Sequence, residues 1–283
     1  MSDAFFDVPR TTAMTSAGPV ELPILYHDVS NVLALFRGRR GAVEELLVGT
    51  GLQPALGLGG DVVLALACYQ YRQTSIGAYN EVGVATFVKP TGWPAPRVAI
   101  ADLYRPVDAR AIGAYVIDLP VTTAIANAGG RELWGYPKFV TDISFQLDRA
   151  RFECMVADPA DAAPIMTFAG RLGVGVPAPP MSLVTFSNRR DELVRTHVHV
   201  RGAVRARGGG GLRLVVGGSR HPMAERLRRL GLDGARPFLV MTTDRFQSRL
   251  DAGVAISGQP DDRPGDRAAR PRRSHISSAR SAR

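Results

Sequence analysis

Apolar and polar residues alternate along much of the chain with a period of two, which is typical of β-strands that bury one face. In residues 194–204, valines and a threonine fall on one face, and arginines and histidines fall on the other. Segments 141–147 and 151–157 also alternate, and the turn-like residues between them predict a hairpin. Further strands are predicted at 23–29, 61–71, 84–88, 97–104, 114–119, 166–172, 183–187, 212–216 and 237–242.

Helical periodicity is restricted to short segments. Residues 42–48 repeat apolar side chains at the spacing of one helix face. A second short helix is predicted over 122–128, capped by a threonine and ended by the two glycines at 129–130. A third is predicted over 222–230, with a proline at its first position. Many short strands and few helices together predict an α+β fold that is mostly antiparallel β, with a few peripheral helices.

Length and composition bound the class of protein. The chain has 283 residues, of which 45% are hydrophobic, enough to bury a substantial core. It contains no apolar run of about 18 residues, so we expect no membrane span, and the N-terminus does not resemble a signal peptide. Two distant cysteines do not form a disulfide framework, so a cytoplasmic location is expected. Residues 1–18 predict a flexible N-terminal arm, and 257–283 predict a disordered, arginine-rich tail.

The formal net charge of +9 could indicate a nucleic-acid partner. From 261 to 283, however, seven arginines face three aspartates, which leaves +4 in the tail. The remaining +5 is spread over about 260 residues without a basic stripe. We therefore expect no nucleic-acid partner.

Lys138 stands out because the chain has only two lysines among its 35 basic residues, the other being Lys89. A sequence that uses arginine for generic positive charge suggests that a remaining lysine does chemistry that a guanidinium cannot, such as nucleophilic attack by an amine. The alternative is a surface lysine after the turn-forming Pro137. Composition alone leaves both interpretations open.

Two segments carry a family resemblance. GRELWGYPKF at 130–139 resembles the active-site segment of the acetoacetate decarboxylase family, with Lys138 at the position of the Schiff-base lysine. TSIGAYNEVG at 74–83 resembles the segment that supplies the family's active-site glutamate, here Glu81. The resemblance implies a domain over 19–256 that forms a closed, cone-like β barrel enclosing a pocket, and assembly into homo-oligomers. It also implies catalysis without a cofactor.

The reaction implied by the resemblance is decarboxylation of a β-keto acid through a lysine imine, with Lys138 as nucleophile and Glu81 as the assisting carboxylate. The amine must be unprotonated to attack, and burial lowers the pKa of a lysine. The aromatic residues near the motif offer an apolar setting. The expected substrate contacts are His27, Tyr79, Trp134, Tyr136 and Phe139.

The chain departs from the family pattern at three places. Phe139 stands where a second lysine follows the Schiff-base lysine, and His27 stands where the family has a substrate-side arginine. A second family glutamate falls near Leu66 or Ala67. These exchanges of charged for apolar groups predict a larger or less charged keto substrate than acetoacetate.

Two other functions remain possible. One is a different imine reaction, such as aldol condensation or dehydration of a 2-oxo acid, and the other is a non-catalytic barrel that binds a small molecule. A metal site is not expected, because His197 and His199 share a strand face but the sequence offers no convincing third ligand. Arg131 and Glu132 are expected to form a structural ion pair or cap.

Overall fold

The computed structural model describes residues 3–256, and the arginine-rich tail predicted at 257–283 lies outside them. Within that range, strands dominate and four α-helices are present. The strands are Thr11–Thr15 (β1), Gly18–Leu22 (β2), Ile24–Gly38 (β3), Leu52–Pro54 (β4), Gly57–Leu58 (β5), Asp61–Thr74 (β6), Tyr79–Pro90 (β7), Gly113–Val121 (β8), Lys138–Val140 (β9), Ile143–Leu147 (β10), Arg151–Ala157 (β11), Pro164–Arg171 (β12), Gly175–Ala178 (β13), Leu183–Arg189 (β14), Glu192–Gly202 (β15), Val204–Gly208 (β16), Leu212–Val216 (β17), Leu239–Leu250 (β18) and Val254–Ile256 (β19). The helices are Arg40–Leu46 (α1), Ala99–Asp102 (α2), Ala124–Trp134 (α3) and Pro222–Arg229 (α4).

Seven strands close into a barrel. Their order is β18-β3-β6-β7-β8-β14-β15, and β15 pairs with β18 to complete the ring. Every pairing around the ring is antiparallel except the one between β8 and β14, which is parallel. The remaining strands extend or flank this barrel. The predicted α+β class, the closed barrel and the peripheral helices are confirmed.

A second sheet covers part of the barrel's outer surface. Its strand order is β10-β11-β12-β17, and its residues Phe152 and Phe168 share one core with Leu64 and Leu66 of the barrel strand β6. The alternate residues of β6 face the barrel interior instead. Segment 61–71 is therefore buried on both faces, which explains why it is a continuous apolar run rather than an alternating one.

The predicted strand at 97–104 is wrong. Residues Ala99–Asp102 form a short helix, and Asp102 is 1% exposed. Its Oδ2 accepts hydrogen bonds from the backbone N–H groups of Ala111 and Ile112, at 3.0 and 2.8 Å. The buried carboxylate thus organises a folded connection between β7 and β8, which alternation alone could not indicate.

The predicted end of the second helix at Gly129 and Gly130 is also wrong. Helix α3 continues through both glycines to Trp134 and ends at Gly135, whose φ of +74° is the left-handed conformation that favours glycine. Gly130 is required for a close approach rather than for a turn. A Cβ atom there would overlap Cδ and Cε of Lys138 and lie 3.2 Å from Cγ.

The N-terminal segment lies against the barrel. Strand β1 falls within the predicted arm and pairs with β2 as an antiparallel hairpin. Ser16 at the hairpin turn donates from its backbone N–H and its hydroxyl to Glu132 of α3. Within 3–256, no helix is long and apolar enough to cross a membrane.

Candidate active site

Lys138 and Glu81 meet inside the barrel. Glu81 is on β7 and Lys138 begins β9, and these two strands pair with opposite edges of β8. Strands two apart in a sheet are separated by about 10 Å, so a side chain as long as lysine is needed to span the gap. The Nζ atom of Lys138 donates a hydrogen bond to Oε2 of Glu81, and each residue is 7% exposed.

The end of α3 places the lysine. After Gly135, the chain turns back so that the N–H of Tyr136 donates to the carbonyl of Gly130 at 3.0 Å. Arg131 then donates from its guanidinium to the carbonyl of Lys138 at 2.9 Å. The lysine stem runs over the bare backbone of Gly130. The motif residues 130–138 therefore act together to position one amine.

A cluster of buried tyrosines surrounds Glu81. The hydroxyl of Tyr71 donates to Oε1 of Glu81 at 3.2 Å, and its ring stacks on Tyr69 with the centroids 5.2 Å apart. The hydroxyls of Tyr79 and Tyr26 are 3.3 Å apart. Burial raises the pKa of Tyr71 well above its ordinary value, and the negative charge of Glu81 contributes a smaller increase. Its hydroxyl therefore stays protonated and serves as a hydrogen-bond donor to the carboxylate.

A cavity of about 180 Å³ extends from this cluster through the barrel interior. Most of its wall is aliphatic or aromatic, contributed by the inward-facing residues of the barrel strands. Lys138 and Glu81 are the only charged residues among the described side chains that line it. An ion pair with apolar surroundings is thus placed at the wall of an enclosed space large enough for a small organic molecule.

Comparison with known proteins identifies the family of this chain. The family model described as "Acetoacetate decarboxylase (ADC)" matches residues 8–225. The chain belongs to the acetoacetate decarboxylase family. A search of curated proteins finds no significant match.

Solved structures of this fold are similar at low sequence identity. An acetoacetate decarboxylase from Legionella pneumophila subsp. pneumophila str. Philadelphia 1 is 14% identical, with a TM-score of 0.60 over 90% of this chain and 94% of that one. An acetoacetate decarboxylase-like enzyme from Sphingomonas wittichii RW1 is 13% identical, with a TM-score of 0.60 over 84% and 94% of the two chains. At these identities the likeness shows a shared fold.

A third similar structure is the enduracididine biosynthesis enzyme MppR, complexed with the condensation product of pyruvate and imidazole 4-carboxaldehyde. It is 14% identical, with a TM-score of 0.58 over 83% of this chain and 90% of that one. The fold therefore occurs in proteins that differ in the compounds they bind.

Of the predicted substrate contacts, Tyr136 lines the cavity. Its hydroxyl is 2.7 Å from Oγ1 of Thr185, and burial raises the pKa of Tyr136 to about 12. Two others support the wall from behind. Trp134 stacks on Tyr136 with centroids 6.1 Å apart and donates from Nε1 to the carbonyl of Asp251 at 3.0 Å. Tyr79 packs on Tyr71 with centroids 4.5 Å apart.

His27 and Phe139 lie outside the cavity, contrary to the prediction. The ring of His27 packs against Phe6, with centroids 4.4 Å apart, at an outer cleft shared with Arg72. Phe139 packs against His221 at 4.5 Å. Successive side chains on a strand point to opposite faces, so the inward position next to Phe139 belongs to Lys138. Tyr26, which precedes His27, faces the cavity in the same way.

Tyr26, Tyr69 and Tyr71 were missed as site residues in the sequence. Tyr69 and Tyr71 are two residues apart, and Tyr69 pairs directly with Glu81 across β6 and β7. Because they are two residues apart, Tyr69 and Tyr71 lie on the same face of one strand, close in sequence to the Glu81 motif. This pattern could have indicated them as site residues, since a buried tyrosine needs a partner for its hydroxyl. Of the two positions near which the family's second glutamate falls, Ala67 lines the cavity and Leu66 faces the outer core.

Arg131 and Glu132 do not pair with each other. Arg131 binds the carbonyl of Lys138, and Glu132 accepts from Ser16, so both are structural but hold different segments. Of the two structural roles expected, an ion pair or a cap, the ion pair between these two side chains is not formed.

His197 and His199 do have a third group nearby. This group is Asp251, whose Oδ2 lies 3.0 Å from Nε2 of His199. The possible ligand atoms of the three residues lie within 4.8 Å of one another. Arg249 also donates to Asp251 at 3.1 Å, so this carboxylate already has a cationic partner. Burial lowers the pKa of His197, and the positive charge of Arg195 contributes a smaller decrease. We interpret the cluster as a surface ion-pair network.

Proposed function

We propose that this protein is a lysine-imine enzyme that decarboxylates a β-keto acid, with Lys138 as the nucleophile and Glu81 as the assisting carboxylate. The observation that supports this most directly is the buried contact between the Lys138 amine and Glu81 at the wall of an apolar cavity. Membership of the acetoacetate decarboxylase family supports the same chemistry.

In the proposed reaction, the neutral amine of Lys138 attacks the ketone carbon, and the resulting carbinolamine loses water to form a protonated imine. The bond to the carboxylate carbon then breaks, and its electron pair moves into the imine to give an enamine and CO2. Protonation of the enamine carbon restores the imine. Hydrolysis releases the ketone and regenerates the free amine.

Glu81 is the group within reach of the proton that Lys138 must lose before attack. The same carboxyl group could return that proton to the carbinolamine oxygen as water leaves. Tyr71 donates to the other oxygen of Glu81 and holds the carboxylate in place. Because the cavity wall is apolar, this proton transfer takes place with little competition from bulk water.

A second candidate is an imine reaction on a 2-oxo acid, such as aldol condensation or dehydration. It is favoured by the similar fold of MppR, whose structures include a complex with pyruvate. This reaction needs the same lysine but releases no CO2. A non-catalytic binding barrel is the third candidate, and it requires neither an amine nor proton transfer at position 138.

Borohydride trapping tests the proposal. The protein is incubated with acetoacetate, longer 3-oxo acids or pyruvate, reduced, digested and analysed for mass added at Lys138. We expect an adduct at Lys138 and, with 3-oxo acids, release of CO2 and the methyl ketone above the spontaneous rate. An adduct with pyruvate alone, without CO2 release, would instead support the 2-oxo acid reaction.

Two controls make the result specific. Lys138→Arg keeps a positive charge but cannot form the imine, so labelling and turnover should both disappear. Lys89 is an internal control because it is also buried, its pKa is lowered by burial, and its Nζ donates to the carbonyl of Trp93. Labelling at Lys89, or ligand binding without labelling in any folded sample, would contradict the proposed role of Lys138.

The remaining expectations of location and assembly are also proposals. We propose a cytoplasmic homo-oligomer that has no nucleic-acid partner. Light scattering coupled to size-exclusion chromatography measures the assembly state directly, and a monomer at micromolar concentration would contradict it.

A further inference from the structure

The cavity follows one strand of the barrel wall over several residues. Alternate residues of β7 line it from Glu81 through Gly83 and Ala85 to Phe87. At about 3.4 Å per residue, these six steps span roughly 20 Å. The cavity of about 180 Å³ is therefore lined along this length of β7, and we refer to it as the channel.

The two ends of the channel differ in chemistry. The end near Glu81 carries the Lys138 amine and the tyrosine hydroxyls, whereas the other end is formed by apolar side chains such as Leu33, Phe87 and Met241. No charged side chain among the described residues lines that second end. Its chemistry therefore matches an uncharged hydrocarbon group.

Small residues on adjacent strands create the apolar end. Ala65 of β6 lies directly opposite Ala85 of β7, and Ala114 of β8 lies opposite Phe87. All three alanines line the channel. Larger side chains there would project into the space, because inward-facing positions of a small barrel are normally filled by side chains. Ala67, near which the family's second glutamate falls, also lines the channel with a small side chain.

We propose that the channel binds the tail of a medium-chain 3-oxo acid, with the keto group at Lys138 and an unbranched alkyl chain extending towards Phe87. This proposal rests on the imine function proposed above. From Gly83 to Phe87 the wall spans roughly 14 Å. Nine carbon–carbon bonds of about 1.5 Å total roughly 14 Å, so an extended tail of up to about ten carbons fits within that length.

Turnover of a chain-length series tests the proposal. The acids are acetoacetate, 3-oxohexanoate, 3-oxooctanoate, 3-oxodecanoate and 3-oxohexadecanoate, each measured by release of its methyl ketone with the spontaneous rate subtracted. Each methylene that is fully buried should raise kcat/KM by about fourfold. We expect 3-oxodecanoate to exceed acetoacetate by at least about a hundredfold and the longest acid to fall below it. Equal values across the series would overturn the proposal.

A blocking variant tests the position of the tail. Ala85→Leu places a branched side chain in the channel and should lower the ratio of kcat/KM for 3-oxodecanoate over acetoacetate by at least about tenfold. Ala255→Leu is the matched control, since Ala255 is exposed on β19 and lies away from the channel. The same ratio in wild type and Ala85→Leu would show that the tail lies elsewhere.

The charge at the far end supplies a second test. 3-Oxodecanedioate has the length of 3-oxodecanoate but ends in a second carboxylate, which the apolar end cannot solvate or pair. It should be turned over at least about a hundredfold more slowly. Equal turnover of the two acids would contradict an apolar tail site.

Failure of the tail proposal and failure of the imine proposal give different results. Labelling of Lys138 by every 3-oxo acid without a length preference would refute the tail site and retain the imine. If no acid labels Lys138, calorimetric binding of the stable ketones acetone and nonan-2-one still measures the tail site. Tighter binding of nonan-2-one, reduced by Ala85→Leu, would support it, and equal binding would refute it.

Discussion

The close packing of Lys138 on Gly130 gives a sharp prediction about the proposed nucleophile. Replacing Gly130 by alanine puts a Cβ atom where Cδ and Cε of Lys138 now lie, while an ordinary van der Waals contact needs at least 3.4 Å. The end of the lysine must therefore move by about 1 Å, and a displacement of that size can cost about a hundredfold in rate. We expect Gly130→Ala to lower kcat/KM, and the rate of borohydride trapping, by about that factor.

The fold should tolerate this change. Alanine is favoured over glycine inside a helix by about 0.5–1 kcal/mol, and the atoms displaced belong to a flexible side chain. Gly129→Ala is the matched control, because a Cβ there meets only Cγ2 of Val20, at 3.7 Å. Both variants should unfold at or near the urea concentration that unfolds wild type, and Gly129→Ala should keep its trapping rate. Normal trapping in Gly130→Ala would refute the positioning role of the glycine.

Two further predictions concern charged pairs. Glu81→Gln leaves buried Lys138 without its counter-ion and should destabilise the fold by about 3–5 kcal/mol in urea unfolding while slowing imine formation. Tyr71→Phe removes one neutral donor from the same buried carboxylate and should cost less, about 1.5–3 kcal/mol. Wild-type stability of Glu81→Gln would contradict the buried pair. Hydrogen bonds from Arg72 lower the pKa of Asp28 from its ordinary value of 3.8. The ionised carboxylate therefore stabilises the fold above pH 3.8, and this contribution is lost as the pH falls through the lowered pKa. Asp28→Asn should therefore be less stable than wild type at neutral pH, and the difference between their urea midpoints should vanish well below pH 3.8. A difference that stays constant with pH would refute the proposed link between ionisation of Asp28 and stability.

Much of the fold was predictable from local pattern, because a strand with one face on a core must alternate. The hairpin of β10 and β11 and the long strand β15 follow directly from it. The pattern failed where a single polar group sets the structure. Asp102 holds a folded loop by accepting backbone hydrogen bonds, and its neighbours have the same apolar character as a strand.

The site was predictable to the extent that motifs carried it. Lys138 and Glu81 are 57 positions apart, and no periodicity indicates that they touch; the resemblance of both segments to one family did. His27 was predicted as a substrate contact because it stands where the family has a substrate-side arginine, and its ring lies at an outer cleft instead. The pairing of β3 with β6 shifts register between Tyr26 and Asp28, so matching positions along this stretch does not assign a side chain to a face.

Strand β8 has a consequence for how the protein acquires its reactivity. Glu81 reaches the site on a strand that pairs with one edge of β8, and Lys138 reaches it on a strand that pairs with the other. The amine and the carboxylate therefore come together only after both edges of β8 have been joined, one by the preceding strand β7 and the other by the following strand β9. A nascent or partly unfolded chain carries the lysine without its carboxylate partner. The contact at Lys138 thus depends on the assembly of three successive strands, and the rate at which trapping at Lys138 is regained on refolding reports the pairing of this part of the sheet.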